Sequence, residues 1–248
     1  MRIDISPKYK HLKNFLERLP ENFDKLGTSI YKGRNEIKII ETEGLKLNVK
    51  SFKIPHLINK IAYTYFRKSK AENSFRYAIK LQELSISTPE PVASIICYKN
   101  GLIYHSYYIS LQFEYDFTIR ELTTGKIPYQ NSLLEDFTQF TFNNHQKGVL
   151  HQDYSPGNIL IKQSDKENQF SIVDINRLKF KQLTTIDKLK NFSQLWAEEE
   201  FLKIIANKYA QLSNMDKDYI EKQIINFDRI HKAKKLRKKK FKSFFKKK

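Results

Sequence analysis

Hydrophobic and polar residues alternate along residues 26–53, through "TSIYKG", "EIKIIE" and "LKLNVKSF". A period of two places the apolar side chains on one face of a strand. Gly27, Gly33 and Gly44 punctuate these runs, which predicts three strands joined by tight turns. Past Pro55 the period changes. "HLINKIAYTYFRKS" carries Ile58, Ile61, Ala62 and Tyr65, and "AENSFRYAIKLQEL" carries Phe75, Ala78, Ile79 and Leu81, both at helical spacing. "TPEP" at 88–91 stops the second helix, because proline disfavours helical geometry in the residue before it. Two alternating runs follow, "VASIICYK" and "LIYHSYYISLQFE", with Asn100-Gly101 as a hairpin signal between them. The first 114 residues therefore read β-β-β-α-α-β-β.

The pattern then turns helical, with two strands set into it. "EYDFTIREL" reads as a crossing segment, and "NSLLEDFTQFTFNNHQKG" as an amphipathic helix with a glycine stop. After "GVLHQDYSPGNILIK" come a polar turn, "SDKENQ", and the strand "FSIVDI". From about 185 onward "TIDKLKNFSQLW", "EEEFLKIIANKYAQL" and "DKDYIEKQIINFDRIHK" are helical. Strands first and helices later predict an α+β chain. We expect a β-rich N-lobe over 1–114, a helical C-lobe over 115–231 and a basic tail without regular structure over 232–248. A cleft between lobes is a usual place for a ligand.

Composition narrows the class. Hydrophobic content of 40% and aromatic content of 13% describe a folded chain rather than a disordered one. The single cysteine, Cys97, cannot form an internal disulfide, which favours a reducing, cytosolic setting. It lies in an apolar run and reads as a small core residue. No run of 18 apolar residues is present, and "MRIDISPKYKHLKNF" has no apolar core of a secretory signal. Residues 229–248 hold twelve Lys or Arg and no acid, about two thirds of the net charge of +18.

Three pieces carry chemistry. The first is His151, Asp153 and Asn158 in "HQDYSPGNIL". Phosphoryl transfer to a hydroxyl needs a carboxylate near the attacking oxygen and oxygen ligands for magnesium, and an Asp followed five residues later by Asn supplies both. Asp, Ser, Pro, Gly and Asn also form ordinary hairpin turns, so this loop alone leaves two readings open. The second is Asp174, 16 residues after Asn158, at the end of "FSIVD". Two short strands joined by a turn would carry it back beside Asn158, where carboxylate and amide oxygens suit magnesium. The third is Lys50 in "LNVKSFK", with Lys53 as its rival, placed on the third strand to neutralise nucleotide phosphates.

The set "VKSFK", "TPEPVA", "HQDYSPGNIL" and "IVDINR" resembles the lipopolysaccharide core kinases, the Kdo/heptose kinase family of the protein-kinase-like fold, and in particular its short Kdo-domain members. The resemblance spans residues 25–230 and is strongest over 148–177. It implies ATP- and Mg²⁺-dependent transfer of phosphate to a sugar hydroxyl of the inner core. By position it implies Asp153 as base, Asn158 and Asp174 as metal ligands, and Lys50 as the phosphate contact.

Departures from the family pattern are equally visible. "YKGRN" keeps one glycine, Gly33, where kinases carry several, so Arg34 is expected to supply charge to the phosphates instead. The helix acid that should pair with Lys50 is replaced at "SFRYA" by Arg76, and Glu72, one turn earlier on the same face, is the expected substitute. Ile175 and Asn176 stand in place of Phe-Gly after Asp174, so no mobile activation segment is expected.

The tail "KKLRKKKFKSFFKKK" interleaves cations with Phe241, Phe244 and Phe245. It reads as a solvated end or as an attachment to an anionic membrane surface. Nucleic acid is the weaker partner, because no zinc spacing or RNA-binding signature accompanies the charge. The expectation is a cytoplasmic kinase, peripheral on the inner face of the cytoplasmic membrane, acting on a lipid-linked core oligosaccharide. A protein kinase, another small-molecule kinase of the same fold and a membrane-associated pseudokinase are the alternatives. The sequence does not specify an oligomeric state.

Overall fold

A computed structural model describes residues 1–164 and 167–246, with the backbone alone at 242 and 244–246. Part of the "SDKENQ" turn, and the side chains of Phe244 and Phe245, therefore lie outside the described residues. The chain divides into two compact units, residues 1–114 with 174–177, and residues 115–173 with 178–248.

The first unit is built on β1 (Arg2–Ile5), α1 (Lys13–Asn22), β2 (Thr28–Lys32), β3 (Glu36–Thr42), β4 (Leu45–Phe52), α2 (Leu57–Ile61), α3 (Lys70–Glu83), β5 (Pro91–Lys99) and β6 (Leu102–Leu111). Its six strands form one antiparallel sheet in the order β1-β5-β6-β4-β3-β2. The five strands and two helices expected from periodicity are present, and β1 and α1 precede them. In the α1 region Leu12, Leu16 and Leu19 recur at helical spacing and are fully buried against Leu47, Val49, Ile95 and Ile109. Pro20 lies inside α1, where it removes one helical hydrogen bond.

Lys38 is buried in this unit, and its ammonium donates to the carbonyls of Phe23, Asp24 and Leu26 just past the C-terminal end of α1. A cation there satisfies orphan carbonyls and opposes the negative end of the helix. Gly27 sits at φ +63°, and a Cβ would run into the Ile39 carbonyl, so glycine is required at this turn.

The second unit contains β7 (Phe117–Thr118), α4 (Ile119–Thr123), α5 (Asn131–Gln146), β8 (Val149–His151), β9 (Ile159–Lys162), β10 (Gln169–Ile172), β11 (Leu178–Phe180), α6 (Thr185–Asn191), α7 (Glu199–Ser213) and α8 (Lys217–Lys246). Its strands form two small sheets, β10-β9-β7 and β11-β8. Phe137, Tyr154, Phe192, Phe201 and Tyr209 make an aromatic core.

Helix α8 corrects the picture of the tail. The helix continues through Lys246, where a segment without regular structure was expected from 232. No Gly or Pro interrupts 217–246, and Lys, Arg, Leu and Gln are good helix formers. Lys232 fastens the helix to the unit through the Ala197 carbonyl (2.7 Å) and pairs along the helix with Asp228 (2.6 Å). Farther on, Leu236 and Phe241 are exposed. No helix among the described residues is long and apolar enough to cross a membrane.

His145 is buried between α5, α6 and α7, with ring nitrogens against Tyr209 Oη (3.0 Å) and Asn191 Oδ1 (3.2 Å). Asn191 spends its N–H on the His151 carbonyl, so its oxygen accepts from His145 and fixes the Nε2–H tautomer. Burial pushes the imidazole pKa down from 6.5 to about 4. Between those values the unfolded chain binds the extra proton, so stability is full above pH 6.5 and declines as pH falls towards 4. The expected contribution is up to about 3 kcal/mol. Urea unfolding at several pH values should show wild type losing about that much more than His145→Gln across this window; parallel curves would remove His145 as the cause.

Candidate phosphotransfer site

Strand β4 places Lys50 opposite Ile37 of β3 and Tyr108 of β6. The Lys50 ammonium reaches the Asp174 carboxylate at 2.7 Å, and both side chains are largely sheltered. Asp174 takes φ +56°, the left-handed region that non-glycine residues rarely occupy. Asn176 supports it by donating from Nδ2 to Asp174 Oδ1 at 2.6 Å. Such backbone strain persists where surrounding contacts over-determine it, as around functional groups.

The surroundings of Asp174 are cationic. Lys70, the first residue of α3, has its pKa lowered by burial and then by the positive charges of Arg34, Arg177 and Lys50, while Asp174 partly opposes the shift. Positive charges thus gather in this part of the unit, which favours the approach of anions. A cavity of about 230 Å³ opens beside it, with Arg34, Lys53, His56 and Lys70 among its lining residues.

Gly33 lies in the turn between β2 and β3, its N–H donating to the Asn35 carbonyl at 3.0 Å. Arg34, expected to compensate for missing glycines, is brought near Lys70. Lys53, the rival lysine, is exposed and lines the cavity, and Lys50 alone of the two is paired to Asp174.

Glu72 takes a different partner from the one expected. Its carboxylate accepts from the Arg2 guanidinium and, through Oε2, from the Ser69 N–H at 2.8 Å. The second contact belongs to a capping box in which Ser69 Oγ also receives the Glu72 N–H. Glu72 is buried and engaged on both oxygens, so it anchors α3 to β1 while Lys50 turns to Asp174. Arg76 is exposed.

In the second unit a brace built on His151 shapes the "HQDYSPGN" loop. His151 Nδ1 accepts the Asp153 N–H at 3.1 Å, and Nε2 donates to the Val173 carbonyl at 2.9 Å. One ring therefore ties the loop to the residue that precedes Asp174. Asn158 donates from Nδ2 to the Asp153 carbonyl at 2.9 Å, and its own carbonyl accepts the Val173 N–H at 2.9 Å. Tyr154 is buried behind the loop with its hydroxyl 2.8 Å from Thr141 Oγ1. Gly157 leaves room for the Arg120 guanidinium, which a Cβ would displace. Ser155, Pro156 and Gly157 form a turn, and the turn reading of this segment holds within the loop.

In the second unit Asn158 spends its amide N–H on the loop, so its amide oxygen is the hard donor it can offer a cation. In the first unit Asp174 offers a carboxylate. Mg²⁺ takes such hard oxygens from one or two side chains and keeps water and phosphate for the rest. No group of three or more His, Cys, Asp or Glu that could cage a metal occurs among the described residues.

The model of the lipopolysaccharide kinase (Kdo/WaaP) family matches residues 41–223, about three quarters of the chain. The chain belongs to this family. It is a kinase, a phosphotransferase. A solved structure of WaaP in complex with acyl carrier protein superposes with a TM-score of 0.62 at 16% identity, covering 94% of this chain and 98% of that one. At that identity the likeness shows the protein-kinase-like fold and no more. No curated protein matches the sequence.

Sequence reasoning missed Arg2, Lys70, Arg177 and Asn191. Arg177 was within reach, three residues after Asp174 in "DINR". Arg2 was not, because its use depends on β1 pairing with β5.

Arg2→Ala should destabilise the protein by about 1–2 kcal/mol, since it strips a buried carboxylate of a charged partner that is itself half exposed. In a Glu72→Gln background the same change should cost clearly less. A double-mutant cycle by urea unfolding measures the difference, and equal costs in both backgrounds would mean that the pair is not coupled.

Proposed function

We propose that this kinase transfers the γ-phosphate of ATP to a sugar hydroxyl, on Kdo or heptose, of the lipid-linked inner core of lipopolysaccharide. The observation that carries this reading is the Lys50–Asp174 pair at 2.7 Å, surrounded by Arg34, Lys70 and Arg177. Cations gathered near this pair suit a triphosphate, whose charge relieves the repulsion that Lys70 feels.

Asp153 lies on a loop held by His151 and Asn158, and its role is to orient the acceptor hydroxyl and take its proton. The hydroxyl oxygen forms a bond to the γ-phosphorus while the bond to the β-phosphate oxygen breaks, and ADP leaves. Lys50 holds the α- and β-phosphates. Arg34 adds charge where Gly33 offers little backbone contact. Asn158 and Asp174 are the residues to hold Mg²⁺, which when bound offsets charge on the phosphate oxygens. Glu72 acts through α3 as a positioning residue. Catalysis of this kind is mostly placement and electrostatics.

The basic end of α8 supports a second element of the proposal, attachment to an anionic membrane surface on the cytoplasmic side. Each Lys or Arg near such a surface contributes about 1 kcal/mol. A kinase with a lipid-linked acceptor gains by being concentrated there.

Asp153→Asn should reduce phosphate transfer from ATP by at least about a hundredfold, with an unchanged melting temperature and retained Mg-ATP binding. Radiolabel transfer to purified core glycolipid, paired with a thermal shift, tests this, and full activity in the variant would remove Asp153 from the chemistry. Truncation after Lys234 should weaken binding to anionic vesicles at low salt and leave binding at high salt unchanged. Vesicle co-sedimentation measures it, and salt-independent loss would exclude an electrostatic role for the helix end.

A further inference from the structure

Residues 57–66 form an amphipathic helix turned inside out. Helix α2 runs directly into a π-helical turn over Ala62–Phe66. Its inward side is the more polar one. Thr64 Oγ1 accepts the Ile103 N–H at 3.0 Å, the Lys60 ammonium lies 5.3 Å from the Tyr104 ring centre, and Tyr63 packs on Phe52, Ala71, Ile96 and Ile103. Its outward side is apolar. Ile58 and Phe66 are 82% and 81% exposed, and Leu57, Ile61 and Tyr65 stand beside them in solvent. The helical spacing of Ile58, Ile61 and Tyr65, which in a globular helix marks the core side, here marks the water side.

A cluster of five exposed apolar and aromatic side chains on one short helical segment calls for an occupant. The charge around it selects one. From Leu45 to Ala71 there are seven Lys or Arg and no Asp or Glu. Lys53, Arg67 and Lys68 are exposed at or near the ends of the helical segment. Between the segment and the start of α3 lies the cavity lined by Arg34, Lys53, His56 and Lys70. Apolar side chains rimmed by cations match the boundary of a bilayer, where phosphates lie above acyl chains. A second copy of this surface would bring like charges together.

We propose that residues 57–66 insert into the interface of an anionic phospholipid bilayer, docking the β-rich unit on the membrane. Leu57, Ile58, Ile61, Tyr65 and Phe66 enter the acyl boundary, and Lys53, Arg67 and Lys68 meet the headgroup phosphates. This rests on the lipid-linked acceptor proposed above. It differs from attachment through α8 in being apolar as well as electrostatic, so it resists salt.

The test uses the full chain and vesicles of phosphatidylcholine with or without phosphatidylglycerol. Ile58→Ser/Phe66→Ser should partition onto anionic vesicles at least about tenfold more weakly, at low and at high salt, since each buried side chain is worth more than one factor of ten. Changing Lys238, Lys239 and Lys240 to Gln should weaken binding at low salt only. ATP turnover without vesicles should be the same in the Ser variant and wild type. A Phe66→Trp reporter in a Trp196→Phe background should shift its emission to the blue on anionic vesicles, which decides the matter even if the Ser variant folds poorly. Wild-type partitioning by the Ser variant, an unshifted reporter, or self-association in sedimentation that the Ser variant abolishes would each overturn the proposal. Absence of ATP turnover in wild type would bear on the kinase reading, and the vesicle result would still decide this one.

Discussion

The ion pair between Lys50 and Asp174 is the interaction on which the proposed nucleotide side of the site depends. Asp174 occupies a left-handed backbone conformation, with Asn176 supporting its carboxylate. A sheltered ammonium and carboxylate each lose water, and they hold this arrangement because they compensate each other. The positive charges of Arg34 and Arg177 act on Lys70 in the same unit.

A second economy appears around α3. Glu72, the acid expected to substitute for a helix partner of Lys50, is held by Arg2 of an N-terminal strand and by the helix cap. Helix position and lysine pairing are thereby separated. The first is held by β1, and the second by the segment 174–177, which packs with the same unit. In the other unit His151 does comparable work, linking the Asp153 N–H to the Val173 carbonyl through one ring. Asn191 links that loop to buried His145, so the loop is held from the aromatic core.

Much of this was legible in the residues. Period-two alternation identified β2 to β6, and the Asp153–Asn158 spacing with Asp174 beyond it identified the family that the comparison establishes. What escaped did so for physical reasons. Helix α1 was not among the expected elements, although Leu12, Leu16 and Leu19 stand at helical spacing, and its burial depends on the sheet it packs against. The Arg2–Glu72 pair joins residues seventy positions apart and follows from sheet order, which no local pattern carries. The end of α8 was misread because a run of lysines looks solvated, while nothing in it breaks a helix. The stripe of Ile58, Ile61 and Tyr65 was read correctly as helical, but periodicity does not say which side the stripe faces.

The central claim is that these two constellations phosphorylate a sugar of the lipopolysaccharide core. Mass spectrometry of core glycolipid from cells with and without the gene tests it most directly. The account predicts that glycolipid from cells with the gene carries one more phosphate, placed on an inner-core sugar by fragmentation. Identical core masses in the two strains, with the protein expressed and folded, would contradict it.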